Sequence, residues 1–324
     1  MIPSRSELAN LLGRTPVLGL RVRVRLQARR AAQADLHERA RRAERIESFH
    51  AYKMLYPLPP KPSMIIGQPS NDSWAVVMCL WNRPSRIDEI LDMLARQEGL
   101  DRPIRLVLWN NCQDDREHYE SALLRFEVKG ALGSVEIVQS PRNIRGVGRF
   151  INARRLVDEG YRGSLIMLDD DEDIPADGVA RLLASGGERT ISSCWAWQAD
   201  ADDYWQRDRA EPGEWANYAA TCGCVVDSEL FGYDRFFRLF DEEGLYIEDV
   251  WMSRFALSLG WTLTASDAVV EFVMHDTNQY HGLVWDKVHY WRMLKTTFPL
   301  PEGYRREDHR DVEPQLGDGE APTR

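Results

Sequence analysis

The chain has 324 residues, 44% of them hydrophobic and 28% charged, which fits a soluble globular fold with a sizeable core. That length leaves room for one large domain or two ordinary ones. A formal net charge of −10 argues against a surface built mainly to grip a nucleic acid backbone.

The charge is uneven along the chain. Residues 1–62 carry 13 Lys/Arg and 5 Asp/Glu, whereas the remainder carries 28 and 46. Within the basic segment, Leu36, Ala40, Ala43, Ile46 and Phe49 recur at three- and four-residue steps and predict a helix with one apolar stripe. Such a helix packs on a following domain or rests on an anionic lipid surface or a partner. The proline-rich "YPLPPKPSM" (56–64) reads as a connector, so residues 1–62 are expected to be a basic helical extension with its linker.

Strand-like and helix-like stretches then alternate. Apolar runs at 73–81, 104–109, 135–139 and 164–168 predict strands. The segments "PSRIDEILDMLARQ", "DREHYESALLRFEV" and "GRFINARRLVDEG" between them predict helices. That alternation indicates a largely parallel sheet with helices on both faces, whose ligands bind beyond the carboxyl ends of the strands. Asn82, Asn110 and the acidic run "DDDED" (169–173) all fall there. Past residue 175 the pattern loosens, leaving a helix in "EDVWMSRFALSLGW", a strand in "AVVEFVMHD" and an aromatic helix in "VWDKVHYWRMLKTTF". Residues 63–298 are expected to form the catalytic domain, and the polar residues 299–324 a flexible tail.

The five cysteines are an odd number with no CxxC pair, which fits a reducing compartment better than a disulfide framework or a zinc site. No run of 18 apolar residues exists, and the N-terminus lacks the apolar core of a signal peptide. The expected location is cytoplasmic, with the basic extension offering a peripheral membrane contact.

The apolar strand running into five consecutive acids needs a positive counterpart. Asp169 and Asp171, one residue apart at a strand end, can point to the same side and offer hard oxygen donors to Mg²⁺ or Mn²⁺. A solvated acidic turn is the competing reading. An EF-hand is excluded, because counting from Asp169 its glycine is Ile174 and its closing glutamate is Ala180. Glu248 and Asp249 open a predicted helix, where the dipole favours negative charge, and a carboxylate there suits a general base. His275 closes the last predicted strand.

Taken in order, these stretches resemble the family 2 glycosyltransferases of the GT-A fold over roughly residues 72–285. "VVMCLWNRPSRIDEILDMLARQ" looks like the family's opening strand, its Asn-Arg-Pro turn and its first helix. "IRLVLWNNCQDD" is similar to the second strand and nucleotide-contacting turn, and "SPRNIRGVGRFINARRLVDEG" to the glycine-spaced segment before the metal motif. "LIMLDDDEDIP" matches the Asp-x-Asp motif, and "CGCVVDSELF…LFDEEGLYIEDVWMSRFALSLGW" looks like the acceptor-side glycines and the Glu-Asp helix.

The resemblance implies a Rossmann-like catalytic domain that transfers a sugar, with inversion, from a nucleotide-diphosphate donor to a hydroxyl. It implies that Asp169, Asp171 and His275 hold the cation, Asp249 is the base and Glu248 orients it. Leu80, Trp81, Asn82, Arg83, Asn110, Asn111, Arg145 and Asp170 fall at its nucleotide-contacting positions. Glu172 and Asp173 are expected to face water. Asn110 stands where the family usually has an Asp that accepts from uracil, so a UDP-sugar is favoured without being fixed. The aromatic stretch 194–205 is either an acceptor wall or core packing. The acceptor is a glycan, a lipid-linked intermediate or a protein, with nucleic acid disfavoured by the acidic catalytic region. Two rival readings are a sugar nucleotidyltransferase, which lacks its glycine-rich loop in "LWNRPSR", and an inactive sugar- or partner-binding module.

Overall fold

The structure, a computed structural model, describes residues 16–200, 202–273 and 284–301. The chain divides into two compact units, with the boundary between Glu47 and Ser48. Helix α1 (Pro16–Leu55) runs through the first unit, where Leu36, Ala40 and Ala43 of the expected stripe are exposed. Ion pairs Arg39–Asp35 and Arg41–Glu38, at helical spacing, line that stretch.

From Ser48 onward the helix belongs to the second unit. There Ala51 and Tyr52 are buried, and the Tyr52 hydroxyl donates to the Phe237 carbonyl at 2.7 Å.

The second unit is built on one sheet. Its strands follow the chain as β1 (Met64–Gly67), β2 (Trp74–Leu80), β3 (Ile104–Asn110), β4 (Leu132–Gln139) and β5 (Ser164–Asp169). Helices α2 (Ile87–Ala95), α3 (Arg116–Arg125) and α4 (Val147–Asp158) connect β2 to β3, β3 to β4 and β4 to β5. After β5 come β6 (Glu172–Asp173), α5 (Gly178–Ala184), β7 (Thr190–Ser193), β8 (Ala196–Ala199), β9 (Arg207–Arg209), β10 (Tyr218–Ala219) and β11 (Cys224–Asp227). The last elements are α6 (Asp234–Arg238), α7 (Glu248–Ser258), β12 (Thr262–Ala265), β13 (Glu271–Phe272) and α8 (Val284–Thr297).

The main sheet has the order β1-β4-β3-β2-β5-β11-β7-β12. Strands β4, β3, β2 and β5 are parallel, β1 and β11 run antiparallel to their neighbours, and β12 is parallel to β7. The four expected strands are therefore four adjacent interior ones. They read as largely apolar runs because both of their faces are covered, with Arg105 and Glu136 the buried charged exceptions. Ala75, Val77 and Cys79 face α4 and α7, while Val76, Met78 and Leu80 face α2, α3 and α5. Among the described residues of "AVVEFVMHD", strand is formed by Glu271–Phe272, which pairs with β6 outside the main sheet and is exposed.

One buried charge network ties the α4 face to the sheet. Glu136 on β4 meets Arg105 on β3 and, at 2.8 Å, Arg155 on α4; all three side chains are buried. Glu159 closes the network on both arginines at 3.0 and 2.9 Å. Removing the central carboxylate leaves two buried cations facing each other. Glu136→Ala is therefore expected to cost about 3–5 kcal/mol in chemical denaturation, and a loss under 1 kcal/mol would contradict a buried network.

Candidate active site

The carboxyl ends of β2, β3 and β5 lie side by side, with Leu80 in register with Asn110 and Cys79 with Asp169. Past Leu80 the chain turns at Asn82, whose φ of 58° is a left-handed conformation that asparagine tolerates better than most residues. This turn carries two donors to the acidic run. The Trp81 amide donates to Asp170 Oδ2 at 2.7 Å, and Arg83 reaches Asp170 at 2.7 Å and Asp171 at 2.9 Å. Burial raises the Asp170 carboxyl to about 7, against the pull of the Trp81 amide and Arg83. Burial and then the neighbouring Asp169 raise Asp171 as well.

A second guanidinium stands behind the cluster. Arg149, on the first turn of α4, is buried and hydrogen-bonds to Asp169. It also lies 3.9 Å from Glu248 and donates to the carbonyls of Gly146 and Thr221. Burial opposes its charge, but Asp169 and Glu248 more than offset that, so it stays a cation. The spaced glycines ahead of α4 have a packing cause. A Cβ on Gly146 would stand 1.5 Å from Glu248 Oε1, and one on Gly148 would enter the Trp109 ring at 2.3 Å.

Glu172 and Asp173 do not simply face water. Glu172 is 0% exposed, and its Oε2 accepts from the amides of Asp169 at 3.0 Å and Gly223 at 3.2 Å. The chain folds back into β6 and pairs with β13, which turns this side chain inward. Burial, reinforced by Asp169, drives its carboxyl well above the usual range. Asp173 pairs with the buried Arg86 at 2.6 Å, and Arg86 also donates to the carbonyls of Asp170 and Glu172. Part of the positive counterpart sought in the sequence is thus protein: Arg83, Arg86 and Arg149.

The Glu-Asp pair opens α7 as expected, and its two members part company. Glu248 turns to Arg149 and Gly146, and burial raises its carboxyl to about 7. Asp249 turns to β10, where its Oδ2 accepts from the Tyr218 hydroxyl and its Oδ1 from the Val250 amide at 2.9 Å. Lys287 of α8 lies 3.7 Å from the same Oδ2.

The other expected nucleotide contacts divide. Arg145, at φ 62°, lays its guanidinium 5.8 Å from the Trp81 ring and 4.7 Å from the Tyr246 ring. Asn110 and Asn111 are instead 1% and 4% exposed, with their amides bonded inward. Asn110 closes on the Cys112 backbone and Gln139, while Asn111 joins Trp109 and Ile144 to the Arg145 carbonyl. They brace the turn and do not face the cleft. His275 lies outside the described residues. In the aromatic stretch, Trp195 and Trp197 pack edge to face at 5.4 Å and are half-buried, with Arg209 and Arg207 over their rings.

Among the described residues no three His, Cys, Asp or Glu side chains converge as a preformed metal site. The donor set still fits a hard divalent cation. Asp169 and Asp171 keep side-chain exposures of 30% and 31%, whereas Asp170 and Glu172 are buried and Glu248 is half-buried around them. These five carboxylates meet two guanidiniums, Arg83 and Arg149, which leaves negative charge beside the two open oxygens. Mg²⁺ and Mn²⁺ are commonly held by one or two carboxylates with substrate phosphates completing the shell.

No protein-family model and no curated protein sequence matches this chain. Among solved structures it is similar to the mannosyltransferase PcManGT from Pyrobaculum calidifontis in complex with GDP-Man and Mn²⁺. That match has 16% identity over 79% of this chain and 71% of that one, with a TM-score of 0.45. It is also similar to S. aureus TarS 1–349 in complex with UDP-GlcNAc, at 13% identity over 71% and 68% of the two chains and a TM-score of 0.47. Against a second S. aureus TarS structure the match covers 71% of this chain and 41% of that one, at 14% identity and a TM-score of 0.44.

Glu248 gives the site a pH signature. Its folded-state value of about 7 lies above the ordinary 4.5, so folding retains a proton that the unfolded chain loses. Its stabilising effect is complete below pH 4.5 and disappears as pH rises to about 7. Glu248→Gln is expected to flatten the fall in unfolding free energy across that window by about 3 kcal/mol. Parallel pH profiles for the two proteins would contradict the assignment.

Proposed function

We propose that the chain is a divalent-metal-dependent, inverting glycosyltransferase acting on a nucleotide-diphosphate sugar, with UDP-sugars favoured. The observation that carries this reading is one guanidinium joining two functions: Arg149 bonds Asp169 of the cation pair and approaches Glu248, next to Asp249. A cation-and-diphosphate cradle and a carboxylate at a helix start thus meet at one edge of the sheet. On this reading residues 63–298 are the catalytic domain, 1–62 the basic extension suited to an anionic surface, and 299–324 the tail. No described helix is long and apolar enough to cross a membrane, and we place the enzyme in the cytoplasm.

Asp169 and Asp171, with His275 as a third candidate, would hold the cation, which when bound supplies charge neutralisation to the departing diphosphate. Arg83 fixes the acidic turn and Arg149 holds Asp169 in place. Trp81, Asn82 and Arg145 line the mouth on the donor side, and Arg145 is suited to the phosphates. Asp249 accepts the proton of the acceptor hydroxyl while that oxygen bonds to the anomeric carbon and the diphosphate leaves from the opposite face. Glu248, clasped by Arg149, sets the start of α7 and hence the place of the base.

The test is nucleoside-diphosphate release from a panel of UDP- and GDP-sugars with Mn²⁺. Asp249→Asn is expected to lower release by roughly 10²–10⁴-fold while keeping the thermal shift induced by Mn²⁺ and nucleoside diphosphate. Pyrophosphate release from a nucleoside triphosphate, or no response to any donor, would overturn the reading.

A further inference from the structure

The expected base sits in a buried polar cluster that the sequence did not announce. Lys287 on α8 is 8% exposed, and its Nζ lies 3.7 Å from Asp249 Oδ2 and 3.4 Å from the Tyr204 hydroxyl. The Tyr204 and Tyr218 rings stand edge to face with centroids 5.2 Å apart. The Tyr218 hydroxyl donates to Asp249 Oδ2. Both tyrosines are buried, and burial keeps both phenols protonated.

Chemistry fixes the direction of each of these contacts. An ammonium only donates and a carboxylate only accepts, while a phenol can do both. Tyr218 gives its proton to Asp249, and Tyr204 accepts from Lys287. Each carboxylate oxygen has about two directions in which to accept. On Oδ2 one goes to Tyr218, with the Lys287 ammonium paired to the same oxygen at 3.7 Å, and on Oδ1 one goes to the Val250 amide. The buried cation thus stands on the Oδ2 side, and Oδ1 keeps a direction open away from it.

We propose that Tyr218 and Lys287, the latter braced by Tyr204, are positioning residues that hold Oδ2 of Asp249 and so aim Oδ1 at the acceptor hydroxyl. The inference rests on Asp249 being the base and adds which oxygen does the work and what holds it. Without these partners the carboxylate turns about its last torsion, and the aim is lost while the donor site stays intact. A merely structural Lys287 would change the amount of folded protein and leave the turnover of each folded molecule alone.

The experiment is single-turnover release of nucleoside diphosphate to water, with Mn²⁺ and saturating UDP-GlcNAc or GDP-mannose, whichever the wild type turns over faster. Rates are normalised to the sites that bind Mn²⁺ and nucleoside diphosphate. Tyr218→Phe and Lys287→Met are each expected to lower the rate roughly 10- to 100-fold, as happens when the outer partners of a functional group are removed. The donor KM should not change, and Lys287→Arg should recover part of the loss. If Lys287→Met does not fold, the isosteric Tyr218→Phe decides. Normal rates for both variants, with Asp249→Asn inactive, overturn the positioning role alone. Full turnover by Asp249→Asn, or none by the wild type, removes the base and this inference with it.

Discussion

Five consecutive acidic residues begin at the last residue of strand β5, and the chain sets three buried or half-buried arginines against them. The Arg149–Asp169 contact matters most, because Arg149 also reaches Glu248 at the start of α7. Arg149 itself is buried, so breaking such a pair strands a buried charge. The loop before α4, the end of β5 and the first turn of α7 are therefore fixed by one side chain. Arg83 and Arg86 do the same for Asp170, Asp171 and Asp173 at the outer edge.

The arginines do not cancel the cluster. Asp170 and Glu248 are both raised to about 7, and Glu172 is raised well above the usual range, because burial outweighs the help each receives. Negative charge is left beside the two carboxylates that remain partly open, Asp169 and Asp171. On the proposed reading, a cation accompanied by phosphates would relieve that excess only when substrate is present. The fold stores the requirement in its acidic turn rather than meeting it fully with protein charges.

Much of this was legible in the sequence, for identifiable reasons. Strands β2 to β5 are covered on both faces, so they read as largely apolar runs, and β3, β4 and β5 end on the polar Asn110, Gln139 and Asp169 at the edge where such sheets bind ligands. Asp249 was legible because an acidic pair before a helical pattern is a physical signal. Glu172 was not: nothing in a run of five acids tells which member turns inward, and its partner amide comes from Gly223. Arg149 was missed because its partner is Asp169, one helix and one loop downstream. Tyr218 and Lys287 join Asp249 from separate elements, and no local spacing encodes that meeting. Asn110 and Asn111 stood at the right strand end, yet their amides are consumed bracing the turn.

The claim on which the whole account turns is that Asp169 and Asp171 share a divalent cation with a diphosphate. Electron paramagnetic resonance of Mn²⁺, titrated with UDP and with GDP, measures this directly. The expected result is a protein-bound Mn²⁺ signal that appears with one of the nucleoside diphosphates and is lost when both Asp169 and Asp171 are changed to Asn. Equal Mn²⁺ binding by that double variant, or no bound signal with either nucleotide, would contradict it.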